Sequence, residues 1–270
     1  MTLPNTSLIR KITLLLVAAM FSVSAMAADF NQVQRLASQG DAKAQVVLGA
    51  MYYLGDGVRQ NYAKAFEWSQ KAANRGEAKA QFMLGAMYYS GDGVRQDYTK
   101  AFEWNQKAAN QGDVEAQYNL GTIYYEGIGV RQDYTKAFEW YQKAANQGFA
   151  EAQHNIGLMY AKGRGVHQDY NKAFEWYQKA AKQGVPLAQN NLASLFYNGQ
   201  GVKQDYNQAI YWYKKAANQG VAASQSNLGT MYANGEAVSQ NETMARQLYK
   251  QSCDNGYQIG CSNYQILNQR

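Results

Sequence analysis

Leu84-Gly-Ala-Met-Tyr-Tyr-Ser-Gly-Asp-Gly-Val-Arg-Gln-Asp-Tyr-Thr-Lys-Ala-Phe-Glu-Trp104 is the stretch that decides the fold, because it comes back. With small changes it starts again at Leu48, Leu120, Ile156, Leu192 and Leu228, always 36 residues on. A fixed period of this length is the signature of stacked repeats, each of which cannot bury its apolar face alone. Function in such arrays is carried by presented surfaces, so a binding face is sought before a catalytic centre.

The units read 41–76, 77–112, 113–148, 149–184, 185–220 and 221–256. A half unit, 28–40, precedes them and matches the second half of a repeat, and a truncated one, 257–270, follows. Both ends are thus covered by a lone helix, as an open stack requires. Within the second unit the apolar or small positions Ala80, Leu84, Met87 and Tyr88 recur at helical spacing, so a first helix (helix A) runs from about Ala78 to Tyr89. Gly91-Asp92-Gly93 ends it in a tight turn, and Val94 folds back onto the helices. Asp97 stands where an N-cap belongs, as do Asn61, Asp133, Asp169, Asp205 and Asn241 in the other units. A second helix (helix B) runs from Tyr98 to about Asn110, with Ala101, Trp104, Ala108 and Ala109 as its expected buried stripe and Gly112 closing it. Glu103 and Lys107, four apart with Glu first, form an expected surface pair, repeated at 67/71, 139/143 and 175/179.

The N-terminus reads as a targeting segment. Arg10 and Lys11 precede the apolar run Ile12 to Phe21, too short to span a bilayer, and Ala25-Met26-Ala27 supplies the small residues of a cleavage site. Residues 1–27 are therefore expected to be a signal peptide cleaved after Ala27, which places the protein in the periplasm or outside the cell. The alternative is a short buried helix. No later segment is apolar enough to span a membrane. Removing Arg10 and Lys11 leaves 24 basic against 20 acidic residues, spread along the chain. That excludes the clustered basic stripe of a nucleic-acid binder. Two cysteines, Cys253 and Cys261, read as a disulfide in an oxidising compartment, with two free buried thiols as the alternative.

Catalytic signatures are missing from the sequence. There is no Ser-x-x-Lys with Lys-Thr-Gly, no Gly-x-Ser-x-Gly elbow and no phosphate-binding Gly-rich loop. The two histidines, His154 and His167, occupy positions held by aromatic and basic residues in other units. No cofactor and no metal is expected. The tryptophans at 68, 104, 140, 176 and 212 read as inter-repeat core rather than a ligand cage.

The run Ala116-Gln117-Tyr118-Asn119-Leu120-Gly121 through Gly148, with its Gly-x-Gly-Val-x-Gln-Asp-Tyr-x-Lys-Ala-x-x-Trp core, resembles the Sel-one-like repeats, relatives of the tetratricopeptide repeat. The resemblance covers about 41–256. It departs late: Ala193 replaces a helix-A Gly, Ala237 replaces a loop Gly, and Glu242, Arg246 and Leu248 replace Tyr, Phe and Trp. It implies an all-α, right-handed superhelix of helix-turn-helix repeats. In a cysteine-rich branch of that family a Cys pair eight residues apart joins helix B to the next helix A, the spacing of Cys253 and Cys261. Similar proteins act as adaptors and scaffolds, exported ones in envelope assembly or host contacts. Some of that branch are described as binding or hydrolysing β-lactams.

The expected function is accordingly a non-enzymatic scaffold of the bacterial envelope that holds a protein or peptide in a concave groove lined by helix A, as a monomer. The alternatives are a β-lactam-binding or β-lactam-hydrolysing protein and a secreted host-protein binder. The outward positions of helix A vary between units: Lys79, Met83, Ala86 and Ser90 in one, Glu115, Asn119, Thr122 and Glu126 in the next. On that face Asn119, Asn155, Asn191 and Asn227 form a row whose amides both donate and accept. Tyr118, Tyr125, Tyr197 and His154 are the expected aromatic anchors. The competing reading is that Asn is merely the common residue at this phase.

Overall fold

The computed structural model describes residues 29–269, so the signal-peptide reading of 1–27 lies outside the described residues. Fourteen helices and no strand occur among the described residues. A lone α1 (Phe30–Ser38) is followed by alternating helices A and B: α2 (Ala42–Leu54), α3 (Tyr62–Asn74), α4 (Ala78–Ser90), α5 (Tyr98–Asn110), α6 (Val114–Glu126) and α7 (Tyr134–Asn146). The series continues with α8 (Ala150–Lys162), α9 (Tyr170–Lys182), α10 (Pro186–Asn198), α11 (Tyr206–Asn218), α12 (Ala222–Asn234), α13 (Glu242–Asp254) and a lone α14 (Gln258–Asn268). The chain divides into two compact units, one up to Ala144 and one from Ala145. In the first, α1 to α6 pack in sequence order; in the second, α8 to α14 do the same.

Local chemistry sets the helix ends. The side chain of Asp97 accepts from Lys100 N at 3.0 Å, and Asn61, Asp133, Asp169, Asp205 and Asn241 do the same in their units. Each such cap contributes about 1 kcal/mol. Helix B closes as expected, the Asp113 N–H returning to Ala108 O at 3.2 Å. The loop is tighter than the sequence suggests. Gly93 has φ +72°, and a Cβ there would collide with the Tyr62 carbonyl. Ala237, its counterpart, is the one non-glycine with positive φ (+56°) among the described residues.

Recurrent glutamines stitch the repeats. Gln81, Gln117, Gln153, Gln189 and Gln225 are buried, and each donates to a carbonyl near the end of the preceding helix B, at 3.2–3.3 Å. The loop glutamines Gln60, Gln96, Gln132 and Gln204 each donate at 2.8 Å to the last Tyr carbonyl of the helix A before them. The loop glutamines thereby satisfy carbonyls that the end of helix A would otherwise orphan, while the carbonyls of the first set also accept from the glycine that closes helix B, as Ala73 does from Gly76 N at 3.0 Å.

Three sequence expectations need correction. Trp104 and its counterparts at 68, 140 and 176 are half-buried, not part of the buried stripe, and only Trp212 is buried. The ring lies at the rim of helix B, where the ammonium three residues on sits over its face: Lys107 over Trp104 at 4.1 Å, Lys179 over Trp176 at 4.0 Å. Of the expected Glu–Lys pairs, Glu67–Lys71 forms at 2.7 Å, with Lys71 also lying over Trp68 at 4.1 Å. Finally, Met83 and Ala86 are buried rather than outward-facing. Every residue of α4 from Gln81 to Tyr88 is enclosed, and α4 touches α2 directly as well as the B helices on either side of it.

The last two helices are joined by the Cys253–Cys261 disulfide, with Cα atoms 4.4 Å apart, and among the described residues no free cysteine remains.

Candidate functional site

The position just after the Trp of helix B, which sequence reasoning passed over, organises the helix-A face. It is Ser69, Asn105, Tyr141, Tyr177, Tyr213 and Tyr249 in successive units, five of them at most 2% exposed and Tyr249 6%. Ser69, Asn105, Tyr141, Tyr177 and Tyr249 each lie against the glycine of their helix A. A Cβ on Gly121 would come within 2.6 Å of the Tyr141 ring, and one on Gly157 within 2.6 Å of the Tyr177 ring. Passing over glycine, the phenols reach the helix-A side: Tyr141 Oη lies 3.0 Å from Thr122 Oγ1, and Tyr249 Oη 3.0 Å from Thr230 Oγ1. The signal in the sequence was a buried-phase tyrosine always opposite a helix-A glycine or alanine.

In the compact unit that ends at Ala144, Tyr118, Asn119 and Tyr125 are half-buried on α6. Tyr118 and Tyr125 flank Tyr141, with ring centroids 5.6 and 6.4 Å away. Asn119 lines a small cavity of about 30 Å³ with Tyr89, Asn105 and Thr122. Burial, then the neighbouring Tyr98 and Glu126, push the Tyr89 phenol up to about 12.

The second unit holds the other five expected residues. His154 on α8 is 9% exposed, its Nε2 is 3.1 Å from Asn191 Nδ2, and its ring lies 5.8 Å from that of Tyr177. Burial depresses its pKa to about 4, opposed by the hydrogen bond to Asn155. The neutral imidazole therefore accepts from Asn191, whose own Oδ1 accepts from Asn190 at 3.1 Å. Both ends of the Asn191 amide are used inside the chain. Tyr197 and Asn227 instead line an open pocket of about 280 Å³, with Ser194, Asn198, Tyr213 and Thr230. Burial raises the Tyr213 phenol to about 12, against hydrogen bonds to Ser194 and Asn227. Tyr197 is also raised to about 12, by burial and then by its hydrogen bond to Glu236 and that carboxylate's charge. Both phenols stay neutral at physiological pH and present oxygens to the pocket. Ser194, Asn198 and Thr230 were not among the expected anchors.

Among the described residues no cluster of His, Cys, Asp or Glu is arranged to hold a metal, and no helix is long and apolar enough to cross a membrane. The arrangement is suited to non-covalent recognition: half-buried aromatic and amide side chains on a rigid helical wall.

The Sel1 repeat family model matches residues 42–77, 78–113, 114–149, 150–185, 186–221 and 222–257, one residue out of phase with the units read from the sequence. No curated protein matches the chain. Among solved structures, a protective antigen present in uropathogenic Escherichia coli strains, displaying an SLR fold, is similar at 38% identity with a TM-score of 0.83. The match covers 90% of this chain and 52% of that one, so this chain spans about half the antigen's length. A Sel1 repeat protein from Oxalobacter formigenes is 32% identical with a TM-score of 0.75, over 89% of this chain and 96% of that one. Six contiguous matches to one repeat model, on a helix-pair architecture shared with these two structures, mean that the chain belongs to the Sel1 repeat family.

Proposed function

We propose that this protein is a non-enzymatic interaction scaffold of the bacterial cell envelope, exported by its N-terminal segment, and that a protein partner docks on the helix-A face of the compact unit that begins at Ala145. Sel1 repeat proteins are typically protein-interaction scaffolds. The observation that carries the finer reading is the change in helix A along the chain. Met83 and Ala86 of α4 are enclosed, whereas Asn191 and Ser194 of α10 and Asn227 and Thr230 of α12 are half-exposed beside an open, polar, tyrosine-lined pocket. An open wall of neutral phenols and amides on a preorganised backbone favours a protein surface over a small apolar ligand.

The test is affinity capture from envelope extract with residues 28–270 as bait, beside the same bait carrying Asn198→Ala and Asn227→Ala. A partner held by the first and lost by the second supports the reading. Equal capture by both baits moves the docking surface elsewhere.

A host-facing secreted role is the second reading, favoured by the likeness to the E. coli protective antigen. Protease accessibility of the protein on intact cells separates the two: rapid cleavage supports surface display, and full protection supports the periplasm.

A further inference from the structure

We propose that the pocket between α1 and the start of α3 binds the carboxylate of an acidic peptide segment, through Arg59, Lys64 and Asn61. It lies in the compact unit that ends at Ala144, and it does not depend on the helix-A face assigned to a partner above. The pocket is open and about 510 Å³ in volume. Arg59, Asn61 and Lys64 line it, all three exposed, with Phe30, Tyr52 and Val58 as its apolar wall and two glutamines beside them. No carboxylate among the described residues lines it.

The repeats themselves show what is special here. In the next three repeats the N-cap of helix B is an aspartate with two roles. Asp97 Oδ1 accepts the Lys100 backbone N–H at 3.0 Å, and its Oδ2 lies 3.9 Å from the Lys100 ammonium. Asp133 with Lys136 at 3.7 Å and Asp169 with Lys172 at 3.9 Å repeat the pair. In the first repeat the cap is Asn61. Its Oδ1 takes the Lys64 backbone N–H at 3.0 Å in the same way, so an amide nitrogen stands where the aspartates carry their second oxygen. A donor has replaced an anion. The Lys64 ammonium stands over the Tyr52 ring at 5.1 Å, and among the described residues neither Lys64 nor Arg59 forms an ion pair. The other asparagine cap, Asn241, has Ser239 and Met244 at the positions of Arg59 and Lys64. Two cations and an amide donor without a carboxylate of their own therefore meet in the first repeat alone.

An incoming carboxylate supplies the anion that the aspartate supplies elsewhere, and it is received by two charged donors and one amide. The Phe30 and Tyr52 rings, 5.8 Å apart and edge to face, offer apolar surface in the same pocket. An apolar side chain next to the acidic one covers that surface, which favours a peptide over a bare ion.

The test is an NMR titration of the whole protein with acetyl-Glu-Leu-Glu-amide and with acetyl-Gln-Leu-Gln-amide, which keeps shape and loses charge. The acidic peptide is expected to shift the backbone signals of 59–64 and to bind about threefold or more tightly at low salt, an advantage that fades at high salt. Asn61→Asp restores the carboxylate of the other repeats and keeps the cap, so it should remove the advantage. Asp133→Asn, the reverse change, should create a second site where Arg131 and Lys136 line the equivalent pocket. Equal binding of the two peptides, an advantage that survives Asn61→Asp, or no second site in Asp133→Asn overturns the proposal. Acetate that shifts the same signals with the affinity of the acidic peptide reduces the pocket to an adventitious ion site only and overturns the peptide reading. Partner capture is measured separately with Asn198→Ala and Asn227→Ala, so failure here leaves the helix-A face standing.

Discussion

Gly121→Ala puts the packing account at risk in a way that opposes simple expectation. Gly121 lies inside α6, where alanine is favoured over glycine by about 1 kcal/mol. Were the site open, the substitution would stabilise the protein. The structure puts the new methyl 2.6 Å from Tyr141 Cδ1, 2.8 Å from Cε1 and 3.0 Å from Cγ, so the ring must move by the better part of an ångström. Tyr141 is 2% exposed, and its hydroxyl is held at 3.0 Å by Thr122. Overpacking of this kind costs about 1–3 kcal/mol, and a weakened buried hydrogen bond about 1 kcal/mol more. The net expectation is a loss of about 1–3 kcal/mol. Ala193 holds the phase of Gly121, and Tyr213 that of Tyr141, so a repeat of this kind can carry a methyl there; the cost at 121 is that of resetting a ring placed for none. Urea unfolding of the wild type, Gly121→Ala, Tyr141→Ala and the double variant gives the coupling directly. In the Tyr141→Ala background the alanine should be neutral or stabilising, a coupling of about 1–4 kcal/mol. A stabilised single variant, or a coupling near zero, refutes the close approach.

His154 makes stability pH-dependent. Its folded pKa of about 4 lies below the ordinary 6.5, so the unfolded chain protonates first. The stability it confers is complete above about pH 6.5 and falls by about 3 kcal/mol as pH drops through 4. Asp113, raised to about 6 by burial, acts in the opposite sense over the same range, so the comparison is between wild type and His154→Phe: between pH 6.5 and 4 the wild type should lose about 3 kcal/mol relative to the variant, and a pH-independent difference contradicts the buried neutral imidazole. Reducing Cys253–Cys261 should cost about 2–3 kcal/mol and raise hydrogen exchange first in α13 and α14; uniform change across the chain contradicts a terminal staple. Gln189→Ala removes one of the two donors to the Ala181 carbonyl, leaving the Gly184 N–H, and takes the acceptor from Gln219, so it should lower stability by about 1–2 kcal/mol in urea unfolding.

What was legible in the sequence was what local chemistry decides. The N-cap at Asp97, the span of α5 and the glycine after it follow from residues within one turn of each other. Burial was harder because it depends on neighbours a repeat away. Trp104 looked like core by period, yet the residue beside it, Asn105, is the one that faces helix A. Met83 and Ala86 looked outward, yet both are enclosed once α4 is packed among its neighbours. The row of asparagines was visible, but not that Asn191 is engaged with His154 and Asn190 while Asn227 borders an open pocket. Glu236 gave no signal at all, since its meeting with Tyr197 spans 39 residues and exists only once the units are stacked.

The most direct test of the central claim is site-specific photo-crosslinking in envelope extract. A crosslinking amino acid is placed at Asn198, exposed on the helix-A face beside the pocket, and in a second protein at Lys182, exposed at the end of α9. A single partner joined from position 198 and not from 182 is the predicted result. Crosslinks from 182 alone, or the same products from both, would contradict a partner held on the helix-A face.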